Sequence, residues 1–162
     1  MDSSIVTSYR FNLSMAGLLV KGIDDSRSCE QPGRVPNHPV WVLGHLIYAD
    51  NLASMLLGVT PSTPESYQEL FGTGSVPVGD TSRYPTMSAL LKAFQEAGER
   101  TIALYEKADD AALDQPLQVE GLNKSFPMNR DAVTFVMTAH ASYHLGQMSS
   151  WRRAAGLGPA MA

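Results

Sequence analysis

The chain has 162 residues, with 12 Lys and Arg against 16 Asp and Glu, so its formal net charge is −4. This length predicts a single domain, 1–162, and the scattered basic residues argue against nucleic acid as a partner, since phosphate binding needs a clustered basic face. The single cysteine, Cys29, excludes an intramolecular disulfide and a cysteine-based zinc cage.

The N-terminal segment predicts an amphipathic helix. Apolar side chains recur from Ile5 to Ile23 at steps of three and four residues, which places them on one stripe. Ser3 or Ser4 is the expected N-cap, and the helix is expected to end near Gly22.

We expect no secretory signal and no membrane-spanning segment, because no apolar run reaches about 18 residues. The expected location is therefore the cytoplasm.

A second helix is expected to begin at the N-cap Asn37 and to end at Gly58, with Pro39 in its first turn. Its predicted inward stripe is Trp41, His45, Tyr48, Leu52 and Met55. The connection 59–85 is rich in Gly, Pro, Ser and Thr, and a loop of this length is usually functional or partly structured. A short helical turn is expected inside it, at 66–72.

A third helix is expected over 86–108 and a fourth over 129–155, which ends before Gly156. Between them, 116–127 fits either an irregular loop or a short extended pair. The inward stripe of the fourth helix is expected to be Val133, Val136, His140, Tyr143 or His144, Gln147 and Trp151. Four amphipathic helices bury their apolar faces most simply as an all-α four-helix bundle with one long crossover connection.

Three of the four histidines lie on predicted inward stripes. His140 and His144 share one helix face at spacing i, i+4, and His45 lies on the stripe of the second helix. A core imidazole with a bare ring nitrogen costs about 1–3 kcal/mol. The simpler interpretation is that each ring is satisfied by hydrogen bonds. The alternative is that all three rings coordinate one divalent metal ion. His38, at a helix start, is expected to be exposed and unrelated to the metal.

Two stretches resemble the signatures of the DinB/YfiT-like family. Residues 37–46 (NHPVWVLGHL) are similar to its Trp-x-x-Gly-His-Leu signature. Residues 140–158 are similar to its second signature, His-x-x-x-His-x-Gly-Gln followed by Arg and Gly, and 69–77 resembles its middle loop. The resemblance implies a four-helix bundle of up-down-down-up topology and a homodimer.

The resemblance also implies a divalent metal ion bound by His45, His140 and His144. Related enzymes are metal-dependent thiol transferases and isomerases that use low-molecular-weight thiols. An open three-histidine site can lower the pKa of bound water to about 7, polarise a carbonyl or bind a thiolate. Zinc is the expected ion, while nickel, manganese and iron also accept imidazole ligands. This chain departs from many relatives at Ala141, where they carry an acidic residue.

Four neighbouring side chains are candidates for the pocket wall or for hydrogen bonds to the ligands: Gln147, Tyr48, Trp41 and Tyr143. Gln147 either supports a histidine or holds two helices together, and Tyr48 either donates to a metal-bound water or packs in the core. Asp50 and Asn51, further along the second helix, are expected to be solvated. No residue is assigned as catalytic.

These observations favour a metal-dependent enzyme, a thiol-S-transferase or a hydrolase, that acts on a small molecule. The second hypothesis is a non-catalytic metal- or ligand-binding module in which the ion stabilises the bundle. The third is a dimeric helical interaction protein without a metal, in which Phe11, Leu18 and Leu57 mark the partner surface. The third hypothesis leaves the three inward histidines unexplained.

Overall fold

The computed structural model describes residues 2–61 and 63–161, and its regular structure is helical. Within those ranges there is no β-strand, and extended pairing is limited to an isolated bridge between Pro116 and Met128. The helices in chain order are α1 Ser3–Val20, α2 Pro39–Leu56, α3 Ser66–Phe71, α4 Met87–Lys107, α5 Asp110–Leu113, α6 Asn129–Phe135 and α7 Ala141–Ala154. Helix α3 confirms the turn predicted inside the long connection. No helix of the described ranges is long and apolar enough to cross a membrane.

Four long helical segments of the described chain surround one core. Helix α1 packs against α4 and α7, and α2 packs against the same two helices from the other side. Large buried side chains fill the space between them, including Tyr9, Leu43, Phe94 and Met148. Between α1 and α4, a Cβ added at Gly98 would come closer than 3.0 Å to Leu13. Glycine at this position therefore sets how closely those two helices approach.

The ends of α1 are held by charged side chains. The N-cap is Asp2, and not Ser3 or Ser4 as predicted, because its carboxylate accepts a hydrogen bond from the Ser4 backbone N–H at 2.8 Å. At the other end, the buried Arg152 donates through Nη1 to the carbonyls of Leu19 and Lys21, at 2.8 and 2.7 Å. This guanidinium ties α7 to the carbonyl end of α1.

Helix α2 begins with His38 as its N-cap, one residue after the predicted Asn37. The Nδ1 atom of His38 accepts from the Trp41 N–H at 3.1 Å, and Nε2 donates to the Val78 carbonyl at 3.1 Å. The prediction that His38 is exposed is wrong, since the long connection folds back over the start of α2 and the ring is fully buried. Burial lowers the pKa of His38 to about 4, so the ring is neutral.

The middle of α2 is buried on nearly every side, because α3, α4 and α7 all pack against it. The prediction that Asp50 and Asn51 are solvated is therefore wrong. The Tyr9 hydroxyl donates to Asp50 Oδ1 at 2.5 Å, and Arg100 Nη2 donates to Asn51 Oδ1 at 2.8 Å. The predicted stripe is also wrong at its end, since Met55 is 56% exposed.

The fourth predicted helix runs without a break from Asn129 to Ala154 but contains a π-helical turn, Val136–His140, between α6 and α7. Within this turn the Thr138 hydroxyl donates to the Thr134 carbonyl at 2.6 Å. A π turn takes one residue more than an α turn and so rotates the residues that follow it. As a result His144 lies inside and Tyr143 is 65% exposed. The inward residue of the predicted stripe is therefore His144 and not Tyr143.

Candidate metal centre

The structure brings together the three histidines of the predicted inward stripes. One ring nitrogen from each of His45, His140 and His144 lies within 4.8 Å of the other two. Helix α2 carries His45, the π turn ends at His140, and His144 follows one turn later on α7. His45 and His144 are buried and His140 is half-buried. His38 lies outside this cluster.

Hydrogen bonds fix the tautomers of two of the three rings. His45 Nδ1 lies 2.7 Å from the Phe71 carbonyl oxygen. His144 Nδ1 lies 3.0 Å from Gln147 Oε1, which also accepts from Asn37 Nδ2 at 2.9 Å. Because both oxygens are acceptors, each Nδ1 carries the proton and each Nε2 keeps its lone pair. Metal-bound histidines are oriented in this way in proteins.

The third ring, His140, has no hydrogen bond that orients it through Nδ1. His140 Nε2 lies 3.2 Å from His45 Nε2, close to the separation of about 3.3 Å expected for two nitrogens on a tetrahedral zinc ion. Two facing lone pairs at this distance repel each other unless a proton or a cation lies between them. His140 Nδ1 is buried without a hydrogen-bond partner, and the next residue, the buried Ala141, has no side-chain acceptor. The orienting role that an acidic residue could take there is vacant.

The electrostatics of the cluster favour neutral imidazoles. Burial lowers the pKa of His140 to about 3 and that of His144 to about 4, and neighbouring imidazoles add to both shifts. Burial also lowers the pKa of His45. Protons therefore do not compete with a cation for these nitrogens at neutral pH. Since no carboxylate joins the cluster in the described ranges, a bound divalent ion would keep its full charge. These residues fit a metal ion.

Trp41 and Tyr48 lie on either side of His45 along α2. The Trp41 ring stacks on the His45 imidazole, with centroids 4.6 Å apart and planes 9° apart, and its Nε1–H donates to Ser75 Oγ at 2.9 Å. The Tyr48 ring lies 6.3 Å from His45 and is half-buried. One cavity of about 340 Å³ is lined by Trp41 and Tyr48 together with the clustered His45 and His140. Tyr143 lies on the outer side, with its ring centroid 5.1 Å from that of His144 and the two planes nearly perpendicular.

The sequence predicts part of the cavity wall. The long connection 59–85 is expected to be functional or partly structured, and two of its residues, Thr73 and Gly74, line the cavity. Gly44 marks a close approach, because an added Cβ would come nearer than 3.0 Å to the Phe71 ring. The Phe71 carbonyl that orients His45 could not be predicted, since every residue has a carbonyl and only the fold brings this one to the ring.

Replacing Gln147 with Leu is expected to weaken divalent-metal binding about 10- to 100-fold, because the variant removes the acceptor that orients His144. Gln147→Glu is the matched control, since its carboxylate still accepts from the imidazole and from Asn37. Dissociation constants for zinc, measured by competition with a chelating dye, check the prediction. Equal affinities for the Leu and Glu variants would mean that Gln147 only joins two helices.

Comparison with known proteins adds one finding. A sequence model of the DinB superfamily matches residues 11–148 of the chain. That range contains all three clustered histidines and the aromatic side chains beside them. No curated protein and no solved structure matches the chain.

Proposed function

The chain belongs to the DinB superfamily, and we propose that it is a divalent-metal-dependent enzyme whose ion is held by His45, His140 and His144. The observation that carries this proposal is the convergence of three neutral imidazoles, two of them anchored through Nδ1, beside a cavity. Zinc is the proposed ion, and nickel, manganese and iron are the competitors to be tested.

Three protein ligands suit a catalytic site, because structural zinc sites are usually closed by four. When bound, the ion would supply Lewis acidity and would lower the pKa of a coordinated water or thiol. The protein's own contribution is to hold the imidazoles neutral and oriented and to limit water around them. Trp41 covers one face of the His45 ring, and the Tyr48 side chain lines the cavity where a ligand would lie.

The proposed reaction is a thiol-S-transfer to a small molecule, with a low-molecular-weight thiol as co-substrate. Hydrolysis of a small molecule is the alternative chemistry that the same site supports. A non-catalytic role, in which the ion only stabilises the helices, is the second candidate. It is favoured by the unsupported His140 ring, whose Nδ1 has no partner.

The proposal extends to the assembly. We expect the long segments to follow an up-down-down-up order and two chains to form a homodimer in the cytoplasm. Phe11 and Leu18 on α1 are 59% and 41% exposed and form an apolar surface for a partner. Leu57, the third residue predicted for that surface, is half-buried and contributes less.

Turnover tests the proposal directly. Protein loaded with zinc, nickel or manganese is assayed with a low-molecular-weight thiol and an aromatic electrophile, and separately with an aryl ester. The expected result is activity that is lost on chelation and in His144→Ala, and retained in the control Ser150→Ala, on the exposed face of the same helix. Activity that persists in metal-free protein would overturn the proposal, and metal binding without turnover would favour the non-catalytic module.

A further inference from the structure

The cavity beside the histidines is built from elements that are distant in sequence. Helix α2 contributes one wall, the segment after α3 contributes Thr73 and Gly74, and α6 with the π turn contributes the opposite wall. Leu122 and Phe126, from the irregular segment before α6, close the remaining side. Neither Leu122 nor Phe126 belongs to a histidine signature, so part of the cavity wall is set by residues outside those signatures.

The lining of this cavity carries no ionised side chain. Among the described residues that line it there is no Asp, Glu, Lys or Arg. Most of the wall is apolar: Leu52, Leu122, Phe126, Ala132, Phe135 and Val136. A ligand carboxylate or phosphate placed there would lose part of its hydration and gain no counter-charge from the side chains of the wall, so its binding is disfavoured.

Aromatic rings shape the interior. Phe126 and Phe135 stack with centroids 4.6 Å apart, and the Phe135 and His140 rings pack in a T-shaped arrangement with centroids 5.3 Å apart. Trp41 lines the same cavity. Flat aromatic walls favour a flat aromatic ligand, because stacked and edge-to-face contacts add to burial of apolar area. The volume of about 340 Å³ is at the lower end of the range for small-molecule sites, about 300–1,000 Å³.

We propose that this cavity binds an uncharged aromatic group of one or two rings, and that the substrate of the enzyme carries such a group next to its reacting atom. The second clause rests on the proposed metal-dependent function, whereas the first concerns only the cavity. Selectivity against charge in the metal-free protein is the property that distinguishes this cavity from a general apolar surface.

The test uses two ligands of nearly the same shape, naphthalene-2-carboxamide and naphthalene-2-carboxylate. Binding to metal-free protein is measured by calorimetry at pH 7.5, so that no ion attracts the carboxylate. We expect the carboxamide to bind at least about 100-fold more tightly than the carboxylate. Equal affinities, or no binding of either ligand, would overturn the proposal.

A charge placed in the wall provides the second arm. Leu122→Arg is expected to improve carboxylate binding at least about tenfold and to weaken carboxamide binding, because the half-buried Leu122 lines the cavity. Val76→Arg is the matched control, since it adds the same charge at a position that is 78% exposed and outside the lining. An equal change in both variants would overturn the proposal.

The two arms separate this inference from the proposed function. If the protein binds no metal and still selects the carboxamide, the cavity is assigned correctly and the metal-dependent reaction is wrong. If it binds metal and the metal-free protein does not select the carboxamide, the assignment of the cavity is wrong and the metal centre stands.

Discussion

Replacing Asp50 with Asn is expected to stabilise the protein by about 4 kcal/mol more at pH 8 than at pH 4. Burial raises the pKa of the Asp50 carboxyl from 3.8 to about 7, although Tyr9 and Thr101 donate hydrogen bonds to Oδ1. The other oxygen, Oδ2, is buried without a partner. Ionised Asp50 is therefore a cost to the folded state that the neutral amide avoids.

The direction of the pH dependence that Asp50 gives to stability follows from proton binding. Between pH 3.8 and about 7 the folded protein keeps a proton that the unfolded chain has lost, so this carboxyl makes stability fall as pH rises. The free energy of unfolding falls by about 1.4 kcal/mol per pH unit, and the fall ends above the pKa of Asp50 in the folded protein. The Asn variant lacks this contribution, and the difference between the two proteins grows through the same window.

Urea unfolding of metal-free wild type and Asp50→Asn at whole pH units from 4 to 8 measures this difference. Tyr9→Phe gives an independent check, because the Tyr9 hydroxyl lowers the pKa of Asp50 in the folded protein and its removal should move the upper end of the window to higher pH. Parallel stability curves for wild type and Asp50→Asn would show that Asp50 keeps the same pKa on folding.

Gly44→Ala is expected to destabilise the protein by about 3 kcal/mol, the upper end of the usual cost of overpacking. The added Cβ would come closer than 3.0 Å to three carbons of the fully buried Phe71 ring. That ring also packs edge-on against Tyr67, with centroids 5.0 Å apart, which limits its movement. Because the Phe71 carbonyl accepts from His45 Nδ1, a shift of Phe71 should weaken metal binding as well.

Gly146→Ala is the matched control for Gly44→Ala. Gly146 lies inside α7, where an added Cβ meets nothing within 4 Å, so alanine should stabilise the helix by about 0.5–1 kcal/mol. Phe71→Leu in the Gly44→Ala background should recover part of the loss, since a smaller side chain relieves the overlap. A Gly44→Ala protein as stable as wild type, by thermal unfolding, would contradict the close packing of α3 on α2.

Sequence reasoning predicted the long helices and the inward position of three histidines because both depend on local periodicity. His140 and His144 are one turn apart on any α-helix, and His45 lies on a stripe that can be counted along the chain. Gly58 and Gly156 end their helices with φ values of 86° and 78°, as glycines after a helix are expected to do.

The failures have a common physical cause in packing that is not local. Helix α2 is covered on nearly every side, so its residues carry little amphipathic contrast, and Asp50 and Asn51 were placed in solvent wrongly. His38 is buried by a connection whose path no local rule predicts. The π turn before α7 leaves no mark in the apolar spacing, and so the choice between Tyr143 and His144 stayed open.

The metal content of protein purified without a polyhistidine tag shows whether His45, His140 and His144 hold a divalent ion. We predict about one divalent ion per chain in wild type and in Ser150→Ala, and none in His144→Ala, since two imidazoles hold an ion poorly. Elemental analysis by mass spectrometry also identifies the ion. No metal in any of the three proteins, even after reconstitution with zinc, nickel and manganese, would contradict the account and favour a helical interaction protein.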